Sequence, residues 1–164
     1  MGITNVPELL KMYRIPYRYM YGSQFEFVHP TWDGGVLTLG WQGPSSDSCG
    51  ESIEWAFHEV SHYLFAPPWA RRLPNYGLGS DPGGGANTVV VEGAARSGDT
   101  WLDESTVCVL DLILMSKHGM GPEFLDGHSR NYNITGEGTR VDLLLSVGAT
   151  QEQVRSAMAY LESL

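Results

Sequence analysis

The sequence is poor in cysteine, poor in positive charge and without a long apolar run, and each shortage removes a class of protein. Two cysteines, Cys49 and Cys108, among 164 residues cannot build a disulfide scaffold. Both fall in segments that read as helical, where a reduced, half-buried thiol is expected. Ten lysines and arginines stand against 19 aspartates and glutamates, a net charge of −9. So acidic a surface repels phosphates and argues against a nucleic-acid partner. The basic residues are also scattered, with only Arg71 and Arg72 adjacent. No stretch approaches the roughly 18 apolar residues of a membrane helix. The opening MGITNVPELLKMYRIPYRYM lacks the apolar core of a signal peptide, and Val6 stands where the myristoylation pattern wants Ser or Thr. The expectation is a cytoplasmic protein that neither spans nor is anchored to a membrane.

What is present is enough apolar material for a real core. Hydrophobic residues make up 42% of the chain, and nothing in it reads as an interdomain linker, so residues 1–164 are expected to form one domain. Asn5 or Thr4 can cap a helix over 6–14, with Pro7 and Glu8 in its first turn. The aromatic stretches YRYMY and FEFVH, and GVLTLGW after Asp33-Gly34-Gly35, read as strands of a small antiparallel sheet. Ser48 with Glu51 predicts a capping box for a helix over 49–65, stopped by Pro67-Pro68. Residues 73–100, with Gly83-Gly84-Gly85 and a strand-like VVVE, read as a long loop; the glycine run lacks the Gly-Lys-Ser/Thr ending of a phosphate loop. A central buried helix is expected over 101–117, closed by Gly119, and two further helices over 139–147 and 151–163, the last opened by Thr150 with Gln153. The fold class is therefore α+β, a small antiparallel sheet on a helical core.

The chemistry is concentrated in WAFHEVSHYLF, residues 55–65. Residues i and i+4 of a helix share a face, so His58 and His62 can direct two imidazoles at one ion, while Glu59 projects from the next stripe towards a metal-bound water. Chance produces this spacing in roughly one such chain in a hundred. The surrounding helix is apolar, however, and two histidines buried in it need partners that a metal would supply. A third ligand is needed. The extended form of the motif would place Gly at 65 and His at 68, where the chain has Phe65 and Pro68. Asp103, Glu104 and Asp111 are the acidic candidates on the next helix. Glu104 is taken as the ligand, and Cys108 and Asp111 follow it at i+4 and i+7; the bland reading is that Asp103 and Glu104 merely favour a helix N-terminus. Asp111 suits the role of acceptor for a histidine N–H. His29, His118 and His128 are expected at the surface.

The stretch HEVSHYLFAPPWARRLPNYGLGSDP, with DESTVCVLDLIL downstream, resembles the elongation factor P hydroxylase family. That family shows a histidine-glutamate-x-x-histidine helix, an Arg-Arg pair and an aromatic-glycine stretch running to an aspartate, matched here by His58–His62, Arg71-Arg72, Tyr76-Gly77 and Asp81. The match covers about residues 55–115 with gaps; Pro67-Pro68, the glycine run at 83–85 and the N-terminal part depart from it. The resemblance implies a single divalent metal, Fe2+ with Zn2+ as the alternative, held by His58, His62 and Glu104, and oxygen-dependent hydroxylation of a protein side chain, the family's target being a modified lysine of elongation factor P. Arg71, Arg72, Tyr76 and Asp111 would be outer partners or substrate contacts. The competing reading of the same residues is a zincin-like peptidase of the glutamate-ligand type, with Glu59 as general base. In that case a peptide is the substrate. A third reading, a purely structural metal, is disfavoured because structural zinc favours four closed ligands with cysteines among them.

Overall fold

The computed structural model describes residues 3, 5–20, 31–33, 35–40, 53–66, 68, 71, 104–121 and 138–163. Within them lie helices α1 (Val6–Met12), α2 (Ile53–Phe65), α3 (Glu104–Lys117), α4 (Val141–Ser146) and α5 (Gln151–Glu162), and strands β1 (Tyr17–Met20), β2 (Thr31–Asp33) and β3 (Val36–Gly40). The protein is α+β and mainly helical.

The helix ends follow local chemistry. Asn5 caps α1 by accepting the Glu8 backbone N–H at 2.9 Å, and Pro7 occupies the first turn, where its missing N–H costs nothing. Thr150 and Gln153 form a reciprocal capping box on α5: the Gln153 N–H reaches Thr150 Oγ1 at 3.2 Å and the Thr150 N–H reaches Gln153 Oε1 at 2.8 Å. Gly119 (φ +78°) and Gly148 (φ +94°) follow the ends of α3 and α4 in the left-handed region. The proposed capping box of Ser48 and Glu51 and the start of the next helix at 101–103 lie outside the described residues, as do FEFVH, the loop over 73–100 and VVVE.

The sheet corrects the expectation. Its strand order is β1-β3-β2: β2 pairs β3 antiparallel, with Trp32 opposite Leu37, whereas β1 pairs β3 parallel, with Tyr17 opposite Leu37. The sheet is therefore mixed. A period-two pattern carries no direction; two reversals between β1 and β3 restore the original sense, and β3 takes the central place. The Leu37 N–H donates to Pro16 O at 2.9 Å, fixing the parallel register at its start. At the hairpin, Gly35 has φ +91°, and a Cβ there would lie 2.7 Å from the Arg71 carbonyl oxygen. Only glycine meets both conditions, the positive φ and the close approach.

One cluster of buried side chains joins α1, the sheet and the later helices. Helix α3 is its axis: every residue from Thr106 to Met115 is buried, as befits a helix apolar on all sides. It packs against α2, α4 and α5, and α1 packs against α2. Thr106 Oγ1, fully buried, accepts the Arg140 backbone N–H at 2.9 Å and ties the start of α4 to α3. Among the described residues no helix is long and apolar enough to cross a membrane.

Candidate metal centre

Two polar stripes meet where α2 and α3 pack. On α2, His58 and His62 face inward, 7% and 3% exposed, flanked by Phe57, Val60 and Ser61. The Ser61 hydroxyl is satisfied within the helix, donating to Phe57 O at 3.0 Å. On α3, Cys108 and Asp111 lie one turn apart, 0% and 3% exposed. Burying a carboxylate among aliphatic side chains is costly unless it is paired. Asp111 is half paired: its Oδ2 lies 3.0 Å from His58 Nδ1, while its Oδ1 is buried with no hydrogen-bond partner among the described residues.

This pairing sets the chemistry of His58. An ionised carboxylate only accepts, so Nδ1 carries the hydrogen in that contact and Nε2 keeps its lone pair. That lone pair meets His62, whose Nε2 is 3.0 Å from His58 Nε2, with the rings edge-on at 86° and 4.6 Å between centroids. Without a cation, the His62 N–H donates across the gap. With one, both lone pairs can converge: nitrogens about 2.0–2.1 Å from a common metal stand about 2.9 Å apart at a right angle and about 3.4 Å apart in a tetrahedron. The observed separation lies between these values, so the pair fits a metal with a shift of a few tenths of an ångström. A carboxylate holding the far nitrogen is the usual outer partner of a metal-binding histidine.

Glu59 is half-buried beside His58 on α2. Glu104 is the first residue of α3; its side chain lies outside the described atoms, and Arg72, Tyr76, Asp81, Asp103, His29 and His128 lie outside the described residues. Arg71 is occupied locally: its Nε donates to Ala66 O at 2.9 Å just beyond α2, and its guanidinium sits 4.4 Å over the Tyr63 ring. It stabilises the end of the histidine helix.

Two residues differ from the sequence reading. Cys108 is fully buried, not half-buried, and its sulfur, a His58 ring nitrogen and an Asp111 carboxylate oxygen all lie within 4.8 Å of one another. The readable signal was the three-residue step between Cys108 and Asp111, which puts both on one face. His118 is half-buried and not a free surface residue: its Nε2 is 2.9 Å from the Tyr13 hydroxyl, 105 residues away, and its ring lies 5.7 Å from that of Phe57. Burial, aided by Lys117, holds the His118 pKa below its ordinary value, and burial raises that of Tyr13.

Compared with known family models, curated proteins and solved structures, the chain matches none.

Proposed function

We propose that the α2–α3 interface holds one divalent metal ion on His58 and His62, with Glu104 as third ligand, and that the protein is a non-haem iron hydroxylase acting on a protein side chain. The observation that carries the reading is the 3.0 Å approach of the two Nε2 atoms, with Asp111 on the far nitrogen of His58. Two imidazoles and a carboxylate leave open positions on an octahedral iron, and the helix pair would then be arranged as in the zincins. Bound there, iron(II) would supply dioxygen activation, one oxygen atom entering a substrate C–H bond and the other leaving as water with two electrons and two protons from an external reductant.

The chain's own residues have separate tasks. Asp111 holds the proton on His58 Nδ1 and so keeps Nε2 a ligand. Burial of both rings keeps bulk water away and fixes their rotamers. Glu59, half-buried next to His58, serves as an acid/base beyond the ligands. The substrate class, a lysine-type side chain on a protein resembling elongation factor P, comes from the resemblance at residues 58–82 and brings a cytoplasmic location with it.

The test is elemental analysis of protein purified without added metal, combined with oxygen uptake in the presence of a reductant and elongation factor P. Iron with substrate-dependent oxygen consumption is the expected result. Zinc alone, with peptide cleavage that Glu59→Gln stops while the metal stays bound, would replace the hydroxylase by a peptidase.

A further inference from the structure

The His58–His62 pair leaves part of the interface unexplained. Asp111 Oδ1 is buried without a hydrogen-bond partner among the described residues, in a protein interior where an unsatisfied carboxylate oxygen is costly. The fully buried sulfur of Cys108 lies in the same group, with Asp111 and His58 inside 4.8 Å. Both residues lie on α3, and the His58 ring presents Nδ1 to Asp111 and Nε2 to His62.

We infer that Cys108, Asp111 and His58 Nδ1 form a second cation position, on the opposite edge of the His58 ring from His62, and that it takes a thiophilic divalent ion of the zinc, cobalt or cadmium class. The donor set decides the class. A thiolate with an imidazole and a carboxylate suits borderline-soft ions and is a poor cage for magnesium or calcium, which want oxygen throughout. Sulfur and nitrogen ligands of a tetrahedral zinc stand about 3.5 Å apart. The group therefore closes by at most about 1.3 Å on binding, within reach of side-chain adjustment. On binding, the Cys108 thiol proton passes to water and the sulfur binds as thiolate, the one ring hydrogen of His58 moves from Nδ1 to Nε2 and that of His62 from Nε2 to Nδ1, and Asp111 gains a partner for the oxygen that has none among the described residues. His58 Nε2–H then donates to the lone pair of His62 Nε2, so the 3.0 Å histidine contact persists as a hydrogen bond with its direction reversed. One ring thus serves two positions by choice of tautomer. This inference shares His58 with the proposed iron pair but does not require iron to bind there.

Titration of the metal-free protein with Co2+ tests it, read by the near-ultraviolet sulfur-to-cobalt charge-transfer band. The band is expected to grow to a plateau at one equivalent, to persist in Cys49→Ser and His62→Ala, and to vanish in Cys108→Ser and Cys108→Ala with Co2+ affinity falling by about tenfold or more. Asp111→Asn should weaken the band's titration to a similar degree. The wild-type spectrum needs no variant to fold: cobalt bound without a sulfur band overturns the Cys108 site, as does a band that survives in Cys108→Ser or disappears in Cys49→Ser. The two proposals fail separately. Iron retention that depends on His62 with no cobalt–sulfur band leaves only the histidine pair, and a cobalt–sulfur band in a protein that retains no iron leaves only the Cys108 position.

Discussion

Asp111→Asn separates a carboxylate retained for a metal from one retained for the fold. Asparagine keeps the size of the side chain and an oxygen that can accept the His58 Nδ1–H now 3.0 Å from Asp111 Oδ2. The charge-assisted part of that bond is lost, about 1 kcal/mol. The amide nitrogen takes the place of the unpaired Oδ1; burying it costs roughly 1–3 kcal/mol. Against this, a neutral amide escapes the desolvation penalty of a 3%-exposed carboxylate, which is several kcal/mol. The metal-free variant should therefore unfold in urea within about 1 kcal/mol of wild type, or above it. The loaded protein should behave differently. Removing the outer partner of a histidine ligand weakens metal binding by about 10–100-fold. At saturating metal this removes about 1.4–2.7 kcal/mol of ligand-linked stabilisation. The assay is urea denaturation with and without Fe2+ under anaerobic conditions. A loss of roughly 3–5 kcal/mol, equal with and without metal, is what breaking a purely structural buried pair would give, and it would assign Asp111 to the fold and not to a metal.

Other consequences are local. Gly35→Ala places a side chain at φ +91° and 2.7 Å from the Arg71 carbonyl, so it should lower the unfolding free energy by more than about 2 kcal/mol; Gly148→Ala, with open space around it, should lose only about 1–2 kcal/mol, and equal losses would contradict the contact. Thr150→Ala removes one half of the α5 capping box and should cost about 1 kcal/mol in the same assay. The lowered pKa of His118 means that the unfolded chain binds that proton more tightly than the folded one. Its contribution to stability is thus complete above about pH 6.5 and lost as the pH falls through the lowered folded value. His118→Gln should flatten the rise of stability with pH in that window, and an unchanged slope would show that the Tyr13–His118 contact does not titrate as described.

Much of this fold was legible because its helices are punctuated by local chemistry. Asn5, the Thr150–Gln153 box and the glycines at 119 and 148 mark ends that depend only on residues within a turn. The run VCVLDLILM of α3, apolar but for Asp111, likewise announces burial on every side. Sheet direction was not legible, because β1 pairs with β3 and not with β2, its neighbour in the chain, and a strand pattern is the same read either way. In the site, helical spacing already put His58 with His62 and Cys108 with Asp111 on common faces. It could not say which nitrogen of His58 would meet which partner, nor that one oxygen of Asp111 would find no hydrogen-bond partner among the described residues, since both depend on how α2 and α3 pack. The burial of His118 was hidden for the same reason: Tyr13 and Phe57 come from distant parts of the chain.

The proposed metal ion between α2 and α3 needs both His58 and His62. Iron content per chain, measured for wild type and His62→Ala after identical anaerobic loading and desalting, tests it most directly. One iron per wild-type chain and close to none in the variant is the predicted result; equal iron in both, or none in the wild type, would contradict it.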